Sequence, residues 1–199
     1  MKKLFFLLSM AFGYVLNANA QAAEIFASLS GVSATSSETN NGAKVSISDS
    51  NSALSLGCNY LSPFINDNFY LVIGGKLSYI WDKEDNVTEH ILRIKVPASL
   101  KLKVSGNGFA LEPYAGLNAS VFMVHTASVK KAYSSSSYSY DMFSYYDLNH
   151  FTLGGHVGVD LCINKFVFGV CYEKDFTNYY PDYNTKWSSI DFKVGLRFE

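Results

Sequence analysis

The sequence predicts an all-β protein, an eight-stranded antiparallel up-and-down transmembrane β-barrel. Three observations predict it. Eight segments alternate apolar and polar residues with a period of two, while helical periodicity is nearly absent. The links between these segments are alternately long and short, as in a membrane meander. The N-terminus has the parts of an export signal.

That signal comes first in the chain. Lys2 and Lys3 precede an apolar run at 4–16, followed by small residues at Ala18, Ala20 and Ala22. The run is shorter than the about 20 residues that span a bilayer. The reading is a signal peptide over 1–22, cleaved after Ala20 or Ala22, then a barrel domain over 23–199. No Cys follows the run to carry a lipid anchor. The expected route is the general secretory pathway, and the expected destination is a bacterial outer membrane.

Composition agrees. Charged residues make up 17 % of the chain and aromatics 16 %, low and high respectively for a soluble domain. Without Lys2 and Lys3 the formal charge falls from −1 to about −3, so no basic bias points to nucleic acid. The three cysteines, Cys58, Cys162 and Cys171, give no disulfide framework. A short turn after Ile163 would set Cys171 opposite Gly158, too far from Cys162 for a bond, so all three read as small apolar fillers.

The strands are read at 24–32, 53–61, 69–81, 90–104, 109–123, 150–163, 166–176 and 190–199. In the third, Phe69, Leu71, Ile73, Leu77, Tyr79 and Trp81 share a face. In the last, Ile190, Phe192, Val194, Leu196 and Phe198 oppose Asp191, Lys193, Gly195 and Arg197. Links 33–52, 82–89, 124–149 and 177–187 are long or polar; 62–68, 105–108 and 164–165 are short. An even strand number with both termini periplasmic puts every long link outside. Pro97 cannot donate to a ladder, which predicts a bulge or kink at that point.

A soluble barrel would also alternate, with its apolar face inward. Three features favour the inverted arrangement. The non-apolar face carries Lys76, Arg93, Lys95, Lys101, Lys103, Glu112, Asp160, Glu173, Asp191, Lys193 and Arg197, with several glycines between them, as a narrow lumen requires. Aromatics gather near the ends of the apolar face, at Phe69, Tyr79, Trp81, Phe109, Phe151, Phe166, Phe168 and Phe198. The later strands have the length of a tilted membrane strand.

At the family level the sequence resembles the small outer-membrane β-barrel domain proteins of bacteria, the OmpA/OmpX-like and opacity-porin-like group. The signal, "RIKVPASLKLKV", "FALEPYAGLNASVFM", "GGHVGVDLCINKFVFGVCYEKDF" and the closing "VGLRF" carry the resemblance over most of the mature chain. A strand with Pro97 and Lys101 precedes Pro113-Tyr114-Ala115-Gly116 in that group's manner. The resemblance implies recognition by the barrel-assembly machinery through a terminal aromatic, here Phe198, although Glu199 follows it.

The chemistry left to the residues is sparse. Opposite charges in a lumen of low dielectric should pair, and eight strands leave an interior just filled by side chains, so a plugged lumen is expected. A narrow porin for small solutes is the alternative. A rim-located lipid hydrolase is the third reading; it would need Ser beside an oriented His. His90 and His125 fall in the apolar register, and His125 is followed by Thr126 and Ala127 rather than a nearby Ser. His150 and His156 fall in the lumen register without metal-ligand spacing. No cofactor motif occurs, and the expectation is a non-enzymatic monomer. The richest feature is the outer loops. Tyr133, Tyr138, Tyr140, Tyr145 and Tyr146 stand among serines, and Tyr179, Tyr180 and Tyr183 repeat the theme. Tyr and Ser mixtures make good contact surfaces. The expected function is structural or adhesive surface display, with outer-membrane lipid and a host or envelope ligand as partners.

Overall fold

The computed structural model describes residues 22–40, 43–65, 68–84, 86–130, 137–146, 148–180 and 184–198. The expected export signal up to Gln21, with Tyr133, Tyr183 and Glu199, lies outside the described residues. Eight strands form the wall: β1 (Ala22–Asn40), β2 (Ala43–Pro63), β3 (Phe69–Glu84) and β4 (Val87–Leu102), then β5 (Ala110–Lys130), β6 (Phe151–Ile163), β7 (Phe166–Asp175) and β8 (Lys186–Phe198). Each pairs antiparallel with its sequence neighbours. A last ladder from Ala23↔Phe198 to Thr35↔Lys186 joins β1 to β8 and closes the barrel. Two short pieces extend β5: Val104–Ser105 pairs with its start, and Ser137–Asp141 with its end, followed by the helical turn α1 (Met142–Tyr146).

Turn chemistry sets the end where the chain termini lie. Asn164 takes a positive φ of 54° in the two-residue β6–β7 turn, a conformation Asn adopts readily. At the opposite end the strands run further than their apolar pattern. Residues 33–52, read from their polarity as a loop, continue β1 and β2 as one hairpin whose ladder reaches Asn40↔Ala43. A run of β-branched and small polar residues can form a strand without a continuous apolar face, and an apolar period cannot report one.

The two faces are inverted relative to a soluble barrel. Ile25, Leu29, Leu56, Leu117, Val157, Phe192 and Val194 lie exposed on the outer wall, while Lys95, Glu112, Asp160 and Thr152 are fully buried inside. An apolar wall that wraps the whole molecule far exceeds the patch a water-soluble monomer exposes. Exposed aromatics rim both ends of it. Phe69, Phe109, Phe166 and Phe198 lie at the termini end, and Tyr79, Trp81, Phe151 and Phe176 towards the long-loop end.

One irregularity redirects a side chain. Leu92 pairs with Val124 and Arg93 with Phe122, so Met123 is the extra residue of a β-bulge. Met123 and Val124 therefore both face outward, at 53 % and 43 % exposure, whereas Phe122 and His125 are 1 % and 2 % exposed. His125 thus turns into the lumen, contrary to its expected outward register. His90, the cross-strand partner of Trp81, stays outside, its Nδ1 2.6 Å from Tyr79 Oη. The bulge expected at Pro97 does not form. Pro97 pairs with Asn118 in unbroken register, and the gap it leaves falls in the β3–β4 ladder beside Gly74 and Gly75. A Cβ on Gly74 would come within 3.2 Å of the Pro97 ring, so glycine makes the space that proline takes.

The bulge yields a prediction. Deleting Met123 removes only the extra residue and leaves Phe122 and His125 facing inward, so the folded barrel should persist. Deleting Leu117 should turn Asn118, Ser120 and Phe122 towards the apolar surround and abolish folding. Gel mobility in detergent before and after boiling distinguishes the two outcomes.

Candidate functional site

The lumen is filled at two levels. The charged level uses alternate positions on seven of the eight strands, and those alternate positions all point inward. Nearest the termini, Arg197 of β8 bridges Glu24 of β1 and Glu112 of β5. Its Nη2 donates to Glu24 Oε1 at 2.6 Å, Nη1 donates to Glu112 Oε1 at 2.6 Å, and Nη2 also reaches Glu112 Oε2. Lys101 and Lys193 each donate to Asp160 Oδ2 at 2.7 Å. Above them Lys76 donates to Glu173 at 2.9 Å and to Asp191, and Lys95 donates to the other oxygen of Glu173. Glycine makes room for the network. At Gly169 a Cβ would strike the Asp160 carboxylate and approach Lys193 Cε to 2.9 Å.

The buried charges balance. Glu24, Glu112, Asp160, Glu173, Asp175 and Asp191 face Lys76, Arg93, Lys95, Lys101, Lys193 and Arg197. Among the described residues six buried acids thus face six buried bases, and their formal charges cancel. Between the two sets of ion pairs lies a cavity of about 60 Å³ lined by Tyr114, His156, Asp160 and Lys193, room for a few waters and no more.

The second level is apolar. Val32, Ala53, Ile80, Ile91, Phe122 and Trp187 of the wall meet Met142, Leu148 and Tyr179 from the loops. Tyr179 packs on Phe122 with the rings tilted by 36° and their centroids 4.3 Å apart, and its hydroxyl is 2.8 Å from His125 Nδ1. Burial pushes the Tyr179 phenol well above its ordinary value. Arg93 lies where the two levels meet, its guanidinium 5.6 Å from the Phe122 ring centre and its Nε unpartnered.

Several expected site residues stand elsewhere. Lys103 is half-buried at the termini end and makes no ion pair among the described residues. His150 is exposed outside the lumen, stacked on Phe143 at 3.9 Å. Tyr179, expected in the exposed loop surface, is 0 % exposed, and Tyr180 is half-buried beside it. Tyr138, Tyr140, Tyr145 and Tyr146 are exposed, with Tyr145 and Tyr146 edge-to-face at 4.7 Å. Phe198 points outward at the termini end. Glu24 is the functional charge that the sequence reading passed over. It opens the first strand in the same register as Ser28 and Ser30, and that register was the available signal.

Chemistry at the rim has a defined geometry. Ser144 Oγ donates to Asp141 at 2.9 Å, where Asp141 caps α1, and His150 Nδ1 lies 3.2 Å from the Phe122 carbonyl. A Ser nucleophile would need His as its hydrogen-bonded base. The described hydrogen bonds join Ser144 to Asp141 instead.

Removal of one central carboxylate tests the network. Glu24→Ala leaves Arg197 short of a partner and weakens the field at Lys101, which should cost about 3–5 kcal/mol of unfolding free energy. Urea titration in micelles, followed by tryptophan fluorescence, measures the loss.

No family model and no curated relative matches the sequence. Solved structures do. Neisserial surface protein A superposes with a TM-score of 0.51 at 14 % identity, over 89 % of this chain and 99 % of that one. Ail, the attachment invasion locus protein of Yersinia pestis, solved with the heparin analogue sucrose octasulfate, gives 0.47 at 14 % identity, over 89 % and 98 %. The outer membrane enzyme PagL gives 0.46 at 9 %, over 86 % and 99 %. The chain has the fold of the small eight-stranded outer-membrane barrels of bacteria.

Proposed function

We propose that the protein resides in a bacterial outer membrane as a sealed barrel, and that its function is surface contact through the loops at its long-loop end. The observation that carries this reading is the doubly filled lumen. Ion pairs occupy the termini half, and Tyr179, Met142 and Leu148 cap it from the loops, a filling by the described residues that argues against a solute path. What faces outward is then the loop surface itself. Tyr138, Tyr140, Tyr145 and Tyr146 offer large, low-entropy aromatic area around α1. Their support is firm, because Met142 and Leu148 anchor the same loop inside the mouth and Asp141 caps the helical turn. A rigid mount under exposed aromatics lowers the ordering cost of binding.

Two tests follow from the sealed lumen and the tyrosine surface. Purified barrels in planar bilayers should show no steady open channel; large, stable conductance steps would establish the porin reading instead. Cells displaying the protein should adhere to at least one member of a panel of immobilised glycans and matrix proteins. Replacing Tyr138, Tyr140, Tyr145 and Tyr146 together by Ser should weaken that adhesion by about tenfold or more, since central aromatics commonly carry over 1 kcal/mol each. Met142 and Leu148 are untouched by this variant, so folding should hold. Equal adhesion by parent and variant would sink the reading.

A further inference from the structure

Above the apolar layer the barrel mouth opens into a vestibule of about 230 Å³ with a one-sided charge. Asp49 of β2, Asp82 of β3 and Glu89 of β4 line it, with Asn51, His125, Tyr180 and Trp187, and among the described residues no Lys or Arg contributes to the lining. Asp82 and Glu89 are direct cross-strand partners on the same inward face. Like charges directly opposite destabilise a sheet. Among the described residues Asp49 and Asp82 have no ion-pair partner, and Glu89 has only His125, at 3.3 Å. The Asn51 amide, turned nitrogen-first, donates to Asp82 Oδ2 at 3.1 Å, which eases but does not neutralise the charge.

A second observation is independent of the carboxylates. Trp187 is 4 % exposed, lines the vestibule, and its indole N–H has no acceptor among the described residues. A buried donor without a partner is costly, and a ligand that brings an acceptor removes the cost. The three carboxylates do not converge as ligands for one ion. The single group of three metal-competent side chains among the described residues is Glu24, Glu112 and Asp160, deep in the lumen and already held by Arg197, Lys101 and Lys193. The vestibule therefore suits an extended cation with an acceptor beside it, and the rings of Tyr180 and Trp187 give its apolar stem a surface.

We infer that this vestibule is a binding site for the side chain of a basic residue in a peptide partner. The guanidinium or ammonium group lies among Asp49, Asp82 and Glu89, and a peptide carbonyl accepts from Trp187 Nε1. Tyr180, in the wall of the vestibule, lies 5.9 Å ring-to-ring from Tyr146 of the exposed loop surface, so the site is continuous with that surface. It needs no contact from Tyr138, Tyr140, Tyr145 or Tyr146, and it stands or falls independently of the adhesive reading.

The test uses the full barrel in non-ionic detergent with Trp81→Phe, which leaves Trp187 as the single tryptophan. The probe is N-acetyl-arginine methylamide, and the control is the neutral citrulline analogue of the same shape. The arginine probe should change Trp187 fluorescence saturably, and the citrulline analogue should bind at least about tenfold more weakly. Asp82→Asn with Glu89→Gln should weaken arginine binding by a similar factor. Because the change removes like-charge repulsion, it should keep or raise the thermal midpoint, which separates a lost site from a lost fold. Equal response to arginine and citrulline overturns the inference, as does unchanged affinity in the amide variant. Calcium chloride that saturates the signal and blocks arginine also overturns it, and would make the vestibule a metal site.

Discussion

Everything in this molecule depends on the ladder that joins β1 to β8. A backbone that faces hydrocarbon has no water to bond, so each N–H and C=O must find a partner within the sheet. An open sheet would leave two edges unpaired. The register from Ala23↔Phe198 to Thr35↔Lys186 removes both at once. Closure then dictates the rest. A ring of eight strands has one inside and one outside, so the period of two becomes a division between lipid-like and charged surroundings, with no third face available.

The same closure makes the interior narrow, and narrowness governs its chemistry. Charges drawn from β1, β3, β4, β5, β6, β7 and β8 meet across the lumen within hydrogen-bond range. Each is a liability alone, since a buried charge without a partner is strongly destabilising. Together they tie opposite walls to one another, which backbone ladders between neighbouring strands cannot do. The apolar level above has a different task. It uses loop residues as well as wall residues, so the loop that presents the outer tyrosines also stoppers the mouth.

The legible parts of the sequence were those with a strict period. Ile190 to Phe198 alternates without interruption, and Phe69 to Trp81 keeps its outward period across Gly75, so their faces follow from pleat geometry. Cys171 does lie opposite Gly158, as the short turn required. What escaped was whatever breaks the period or lacks one. The bulge at Met123 carries no local signal, because Met123 and Val124 are both ordinary apolar residues; it reversed His125 nonetheless. The extension of the β1–β2 hairpin over 33–52 is mostly small polar residues, with Val45 and Ile47 too few to set a period, so its strands read as a loop. Tyr179 was misplaced because a Tyr-rich loop gives no sign of which ring folds back inside. Glu24 was passed over because it lies where the first strand begins, one residue after the pairing that closes the barrel starts.

The closing seam has a consequence for how such a chain can be cut and extended. Ala23 and Phe198 are cross-strand partners, so the outer ends of β1 and β8 meet on one rim. In terms of connectivity the wall is a ring whose break happens to fall between β8 and β1, and the ladder there is no weaker in kind than at any other pair. A short link between the ends would turn any of the long-loop hairpins into an admissible new start and finish. Growth by whole hairpins inserted at the seam would preserve every inward and outward assignment along the existing strands, whereas growth by a single strand would leave the ends on opposite rims and the ring unable to close antiparallel.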